Sequence, residues 1–226
     1  RSGREEMNES RGGRGDGESS KSKTGDAPRS RRLPVGAEVS DVGVHFRVWA
    51  PKRRQVEVEL KDRTVALTAE PDGYFAGLVE GLGAGATYRY RLDGEGPFPD
   101  PASRFQPNGV HEPSEVVDPS AFAWTDAAWK GIELPGQVLY ELHSGTFTPE
   151  GTWDAAAERL PRLVEVGVTI VELMPVAEFA GGFGWGYDGV DLFAPYHLYG
   201  SPDAMRRFVD RAHALGLGVI LDVVYN

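Results

Sequence analysis

The sequence predicts an α/β chain with an all-β N-terminal domain: an immunoglobulin-like β-sandwich followed by the first three strands of a truncated (β/α)8 TIM barrel. Three observations predict this fold class. Residues 42–92 carry apolar side chains at alternate positions, in short runs separated by turn residues. Residues 138–224 instead carry continuous apolar runs separated by amphipathic segments. A loop over residues 175–200, rich in glycine and aromatic side chains, follows the second of these runs.

A disordered tail is predicted for residues 1–32. This segment consists mainly of Gly, Ser and charged residues, so ordering it would cost conformational entropy without burying apolar surface. It holds nine Lys or Arg against six Asp or Glu, whereas the rest of the chain holds fifteen against twenty-eight. Because that acidic body would repel phosphate groups, nucleic acid is not an expected partner.

The composition excludes several further classes of site. The chain has no cysteine, so it has no disulfide framework and no thiolate nucleophile. Its five histidines lack the spacing of zinc ligands, and we expect neither a metal nor a cofactor. The sequence has no run of eighteen apolar residues and no N-terminal apolar segment of the signal-peptide kind. Neither a membrane partner nor export is therefore expected, and a cytoplasmic location is. Nothing in the pattern indicates an oligomeric state.

The sandwich is predicted over residues 33–110. Its first clear strand covers residues 44–50, where apolar side chains alternate with others as on a strand with one buried face. Pro51 then ends this strand. Four more short strands of the same kind are expected: 56–60, 65–67, 74–79 and 87–92. Five short strands at such close spacing favour an antiparallel sandwich.

A packed linker is predicted over residues 111–136, which show little periodicity. It contains Trp124 and Trp129. Two interpretations of this pair stay open, since the rings could form a platform for a sugar or could be wedged within the linker.

The N-terminal part of a barrel is predicted over residues 137–226. Three apolar runs lie at 138–143, 168–174 and 217–224. Such runs are typical of strands that are buried on both faces of a parallel sheet. Three strands of this kind supply fewer than half of the eight that a closed barrel needs.

Two amphipathic helices are predicted between these strands. Thr152 is expected to cap the first helix, which would be kinked at Pro161 and would end before Gly167. Ser201 is expected to cap the second, which would end before Gly216. The predicted order is therefore βαβαβ.

Doubly wound sheets and barrels share this order, and the loop after the second strand decides between them. Residues 184–189 match G-x-G-x-x-G formally. Nucleotide binding requires that motif to leave a strand directly and to open a helix. Here residues 175–183 intervene and the non-helical segment 190–195 follows. A long aromatic loop at the carboxyl end of a strand is instead what barrel enzymes use to bind substrate.

Six motifs in the same order resemble the α-amylase superfamily of glycoside hydrolases, at residues 46–51, 140–143, 146–152, 172–179, 185–190 and 222–226. The resemblance covers residues 33–226. Within the superfamily it favours the trehalohydrolase branch or a debranching relative over branching enzymes, which usually have other residues at Asp188 and Tyr225.

This resemblance implies a retaining hydrolase that cuts the α-1,4-glucosidic bond beside the terminal trehalose unit of a maltooligosaccharide and releases trehalose, a step of trehalose biosynthesis. A glycogen branching or debranching enzyme is the alternative. The family takes its two catalytic carboxylates from the fourth and fifth barrel strands, so none is expected before Asn226. The chain alone is therefore expected to be inactive, and its sandwich is expected to be of the isoamylase type, similar to a carbohydrate-binding domain.

The resemblance also implies a substrate-binding group made of Trp185, Tyr187, Asp188, Asp222 and Asn226. Tyr187 would stack on a sugar ring, Asp188 and Asp222 would shape the subsite at the cleaved bond, and Asn226 would hold its neighbours in place. Simpler roles stay open, because Asp188 could cap a turn and Asp222 could accept bonds from loop amides.

A function of another class also stays open. The sandwich could bind α-glucan without catalysis, since its strand aromatics Trp49, Tyr88 and Tyr90 could present flat rings to sugars.

Overall fold

Two packed antiparallel sheets form the N-terminal half in the computed structural model, which describes residues 31–225. The predicted tail lies outside the described residues except for its last two, and Asn226 lies outside them as well. The strands are β1 Gly36–Ser40, β2 Gly43–Trp49, β3 Val56–Leu60, β4 Thr64–Ala66, β5 Thr68–Ala69, β6 Tyr74–Glu80, β7 Thr87–Leu92, β8 Glu95–Phe98 and β9 Ser114–Glu115. One sheet has the order β1-β2-β6-β5; the other has the order β4-β3-β7-β8, with β9 also paired to β7. All five predicted strands are present.

The core of the sandwich lies between the two sheets. Val44, Phe46 and Val48 point inward from β2, as their alternation predicts, and are almost completely buried. The Phe46 ring meets Tyr88 of the opposite sheet edge-on, with centroids 4.8 Å apart. Val116 belongs to the same core, so the sandwich reaches into the segment that the sequence predicts as a linker.

The C-terminal half is an α/β unit. Its elements are β10 Leu139–Leu142, α1 Ser144–Phe147, α2 Trp153–Glu165, β11 Ile170–Leu173, β12 Ala177–Glu178, β13 Asp191–Pro195, α3 Pro202–Ala214 and β14 Gly218–Leu221. Strands β10, β11 and β14 form a parallel sheet in that order, which confirms the predicted βαβαβ arrangement. Strands β12 and β13 form a separate antiparallel hairpin within the long loop.

Both helices begin and end where the sequence predicts. The Thr152 hydroxyl accepts a hydrogen bond from the Ala155 N–H at the start of α2, and the Ser201 hydroxyl caps α3 in the same way. Gly167 follows α2 with a φ of +90°, a conformation that favours glycine. Pro161 lies inside α2, which continues past it to Glu165.

The two helices pack on one face of the parallel sheet. Trp153 of α2 is fully buried. Its ring centroid lies 5.7 Å from that of Tyr199, which precedes α3, and 5.7 Å from that of Phe208 in α3. Leu160 is fully buried in the same cluster. The opposite face of the sheet carries Glu141, which is exposed. No helix within residues 31–225 has the length and apolar character needed to cross a membrane.

Part of the segment between the two halves is held against α3. The backbone N–H and the hydroxyl of Thr125 both donate to the Asp210 carboxylate, over 2.8 and 2.7 Å. Trp129 stacks on His213 with a centroid distance of 4.6 Å, and His213 Nδ1 lies 2.7 Å from Asp126. These contacts fix the linker on the α/β unit.

Replacing Leu160 by alanine should destabilise the α/β unit. Loss of a fully buried leucine leaves a cavity, and the expected decrease in the free energy of unfolding is about 2–5 kcal/mol. Val166→Ala, at an exposed position after the same helix, is the matched control and should change it by less than about 0.5 kcal/mol. Urea denaturation followed by tryptophan fluorescence measures both, and equal effects would contradict the packing described.

Candidate functional site

The candidate site lies at the carboxyl end of the parallel sheet. Strand β10 is followed by His143, β11 by Met174 and β14 by Asp222. The ladder extends to these residues, because Met174 N–H donates to Leu142 O at 3.0 Å and Asp222 N–H donates to Leu173 O at 2.9 Å. Side chains that leave the three strands here therefore converge at one edge.

The aromatic loop, residues 181–189, folds back across this edge through a close backbone contact. Gly186 has a φ of +90°, and a Cβ atom added there would lie 1.8 Å from the carbonyl oxygen of Pro175. Only glycine fits such an approach. The preceding segment is held by Phe179, whose ring lies 2.7 Å from the position of a Cβ atom at Gly184.

The fold brings Tyr187 and Asp222 together. The Tyr187 hydroxyl donates to Asp222 Oδ2 over 3.0 Å, which links the loop to the end of β14. This hydrogen bond, followed by burial and by the charges of Asp222, Glu141 and Glu172, raises the pKa of Tyr187. Tyr187 is therefore a neutral phenol surrounded by carboxylates.

These carboxylates come from all three parallel strands. Glu141 of β10 and Glu172 of β11 are register partners. Both side chains lie on the face of the sheet opposite the helices. In β14 the partner of Glu172 is Ile220, and the carboxylate of Asp222 follows just beyond the end of that strand. The site consequently has a negative potential, which suits hydroxyl donors and cationic species rather than phosphates.

The other predicted site residues are placed differently. Trp185 is 73% exposed, and within residues 31–225 its side chain has no hydrogen bond or ring contact. Asp188 is exposed beside Tyr187. Asn226 lies outside the described residues. Two of the five predicted residues are thus joined directly, and a substrate-binding role stays a prediction for all five.

The aromatic platforms considered for the sandwich are largely ruled out. Tyr88 and Tyr90 are buried in its core, which contradicts the idea that they present rings to a sugar. The reason is that β7 points both tyrosines inward, between the two sheets. Trp49 alone remains on the surface, with its indole N–H bonded to Asp72 O at 3.0 Å.

The linker tryptophans do not form a shared platform either. Trp129 uses one face of its ring to stack on His213. Trp124 packs edge-on against Phe122 at 4.9 Å. The stacking of Trp129 favours a wedged position for that ring, whereas Trp124 is 45% exposed and stays open to either interpretation.

A small cavity adjoins the candidate site. Its volume is about 180 Å³, and it is bordered by Asp222 and by mainly apolar side chains that include Leu192, Leu221, Val223 and Tyr225. Pockets for drug-sized ligands usually measure about 300–1,000 Å³. This cavity can therefore take no more than a small group.

A buried acidic network in the β12–β13 hairpin was not predicted from the sequence. Glu178 and Asp191 are register partners in the β12–β13 hairpin, and both are buried. Glu178 accepts hydrogen bonds from the backbone N–H and from Nδ1 of His197, each at 2.8 Å. Asp191 Oδ2 has no hydrogen-bond partner among residues 31–225. A buried carboxylate in this condition favours its protonated form.

The surroundings of Asp191 act in the same direction. Burial, followed by the charges of Glu178 and Asp100, raises the pKa of Asp191 to about 6, while His111 opposes the shift. Asp100 lies in the sandwich segment and is itself fully buried. Burial also raises the pKa of Glu178 and of Asp100, so the protonated form is favoured at all three carboxyl groups. Residues 31–225, this network included, contain no group of three or more His, Asp or Glu side chains that could hold a metal ion.

Comparisons with known proteins agree with this geometry. A family model described as the catalytic domain of alpha amylase matches residues 115–226. A malto-oligosyltrehalose trehalohydrolase from Deinococcus radiodurans is 50% identical over 203 residues, which cover 88% of this chain and 33% of that protein. One from Arthrobacter ramosus is 50% identical over 186 residues, covering 80% and 32%. A glucan branching enzyme from Xanthomonas axonopodis is 36% identical, covering 84% and 30%.

A solved structure shows the same fold. It belongs to a Salmonella typhimurium protein classed as an alpha amylase and has a TM-score of 0.81 and 46% sequence identity. The match covers 84% of this chain and 33% of that one. The chain thus spans about a third of the length of the relatives that it matches.

Removing the Asp222 carboxylate should lower the pKa of Tyr187 toward its ordinary value. Asp222→Asn takes away the largest cause of the upward shift, the hydrogen bond from the phenol to an anion. The measurement is a pH titration of the Tyr187 Cζ resonance by NMR, assigned with Tyr187→Phe. Asp188→Asn is the control, because it removes a neighbouring charge and leaves the bond between Tyr187 and Asp222 in place. An equally large shift of the Tyr187 pKa in this control would contradict the described geometry.

Replacing Asp191 by asparagine should flatten the pH dependence of stability. Since its pKa is raised from 3.8 to about 6 on folding, its stabilising contribution is present below pH 4 and is lost as pH rises through 6. The wild type should lose up to about 3 kcal/mol of unfolding free energy from this group between pH 4 and 7.5. The decrease in unfolding free energy between these pH values should be smaller in Asp191→Asn than in the wild type. In Asp62→Asn, a control at an exposed carboxylate, it should equal that of the wild type. Urea denaturation at both pH values decides, and parallel profiles for wild type and Asp191→Asn would refute the expectation.

Proposed function

The chain belongs to the α-amylase family, and we propose that its residues 137–226 form the first part of the catalytic barrel of a malto-oligosyltrehalose trehalohydrolase. The reaction would be hydrolysis of the α-1,4-glucosidic bond beside the terminal trehalose unit of a maltooligosaccharide, with release of trehalose. In this proposal the sandwich domain consists of residues 33–110 together with β9 and Val116, and the linker covers the rest of the segment up to residue 136.

The observation that supports this function best is the bond between Tyr187 and Asp222 above the carboxyl end of the sheet. An aromatic ring fixed in this way offers a flat apolar face to the C–H groups of a pyranose. The neighbouring carboxylates of Glu141 and Glu172 offer acceptors to sugar hydroxyl groups. Glycosidic cleavage passes through an oxocarbenium-like state, and a negative site favours its positive charge.

Two facts favour trehalohydrolase over the branching alternative. Seven trehalohydrolase relatives are 43–50% identical to the chain, whereas the branching enzyme is 36% identical. In addition, Asp188 and Tyr225 stand where branching enzymes usually have other residues. A debranching enzyme is the alternative that fits the same two residues.

The chain should bind the sugar without cleaving it. By the resemblance, the nucleophile and the acid come from barrel strands that residues 137–226 do not include. The described carboxylates at the sheet edge serve substrate binding in this proposal. Incubation with maltotriosyltrehalose should therefore yield no trehalose, and sustained release by the purified 226-residue chain would show that catalytic groups are present among these residues.

Removing the Tyr187 ring should weaken binding of maltotriosyltrehalose about tenfold, equivalent to about 1.4 kcal/mol. The expected cause is the loss of the stacking surface at the sheet edge. Isothermal titration calorimetry on wild type and Tyr187→Ala measures the change, with Phe183→Ala as control because that side chain is 99% exposed. Equal weakening in both variants, or no binding by the wild type, would contradict the proposal.

A glycan-binding function of the sandwich is the second candidate, and a single observation favours it. Trp49 is 59% exposed, with its indole N–H held by a backbone carbonyl, so its ring has a fixed orientation on the surface. If this ring is the site, Trp49→Ala should abolish binding in the same titration while Tyr187→Ala leaves it intact.

A further inference from the structure

We propose that His143 is a positioning residue that holds the aromatic loop, residues 181–189, and with it Trp185, over the carboxyl end of the sheet. The role in substrate binding rests on the function proposed above. The positioning itself rests only on the contacts of the folded chain and can be tested without a sugar.

The backbone fixes where the His143 ring begins. His143 directly follows β10, and its carbonyl accepts hydrogen bonds from the N–H groups of Thr146 and Phe147, at 3.1 and 3.0 Å. Gly145 leaves room for the ring, since a Cβ atom there would lie 3.0 Å from His143 Cε1 and 2.8 Å from a Tyr199 ring carbon. The histidine is thereby anchored to the first strand of the sheet.

The ring bonds determine its protonation pattern. His143 Nε2 lies 2.9 Å from the carbonyl oxygen of Gly184, which can only accept, so Nε2 carries a proton and donates it. In the neutral ring Nδ1 then accepts from the Thr146 hydroxyl at 3.0 Å. The Tyr199 hydroxyl lies 3.0 Å from Nε2, and Tyr199 packs on buried Trp153. His143 thus connects the helical core to the backbone of the loop.

Trp185 depends on this connection more than its neighbours do. Gly186 is fixed against Pro175, and Tyr187 is fixed by Asp222. Trp185 has no comparable contact of its own among the described residues, so its place is set by the backbone at Gly184 and Gly186. Loss of the His143 bond would leave only the packing of Phe179 against Gly184 to hold the first of these two points.

Two conservative substitutions separate this role from a general contribution to folding. The side-chain nitrogen of glutamine reaches nearly as far as Nε2 of histidine and can donate to Gly184 O. The shorter asparagine places its nitrogen near Nδ1 and cannot reach that carbonyl. Both variants are neutral and both lose the ring, so a merely structural effect should be similar in the two.

The experiment uses the whole 226-residue chain with uniform 15N labelling, and the Trp185 indole resonance is assigned with Trp185→Phe. In His143→Asn the heteronuclear relaxation of that indole and of the 184–186 amides should show increased motion on the ps–ns timescale. In His143→Gln the values should stay close to those of the wild type. Identical relaxation in wild type and His143→Asn, or equal loss of order in Asn and Gln variants, would overturn the proposal.

Sugar binding provides the second measurement. Affinity for maltotriosyltrehalose should fall about tenfold in His143→Asn and less than about threefold in His143→Gln. If the wild type binds no sugar, the proposed function fails while the relaxation result still decides the positioning role. Thr146→Val, at an exposed position, removes the hydroxyl that donates to Nδ1 and should give an intermediate increase in motion. This variant replaces His143→Asn if His143→Asn does not fold.

Discussion

The close approach of Gly186 to the Pro175 carbonyl is the constraint on which the candidate site depends. A side chain at this position would overlap the strand-end backbone, so the loop can cross the sheet edge only with glycine there. The turn brings Tyr187 within hydrogen-bond distance of Asp222, 35 residues further along the chain. One local backbone feature therefore brings a residue of the loop after β11 next to the residue that follows β14.

The β12–β13 hairpin contains two buried carboxyl groups, those of Glu178 and Asp191. Glu178 is compensated by two bonds from His197, but Asp191 faces the carboxylates of Glu178 and Asp100 without a hydrogen bond to its Oδ2. A charged Asp191 would be costly here, since both burial and like charges oppose ionisation. The hairpin that carries the loop is thus held most firmly when this carboxyl is protonated.

Local patterns in the sequence were sufficient to predict much of the fold. The helix caps at Thr152 and Ser201 and the parallel order of the three strands follow from residues that lie next to one another in the chain. Strand β1 was missed because burial along it does not alternate, and β9 was missed because it has only two residues. Their existence depends on distant partner strands that sequence patterning does not reveal.

The candidate site was less predictable, for a related reason. The resemblance identified Tyr187 and Asp222, but their contact depends on a loop path that no period encodes. Tyr88 and Tyr90 were misjudged although a signal was present, because Arg89 and Arg91 alternate with them and mark the solvent side of β7.

The role of His143 also follows from a tertiary arrangement. Its carbonyl starts α1, while its ring meets a loop 41 residues away and a tyrosine 56 residues away. In sequence it is one of five scattered histidines, and a search for ligand spacing passes over it. A histidine whose two ring nitrogens have different partners has a fixed orientation, and such a group can hold a loop without touching the substrate. The aromatic loop is consequently supported from β10 as well as from β14, so its exposed tryptophan can be ordered although its side chain makes no hydrogen bond or ring contact among residues 31–225.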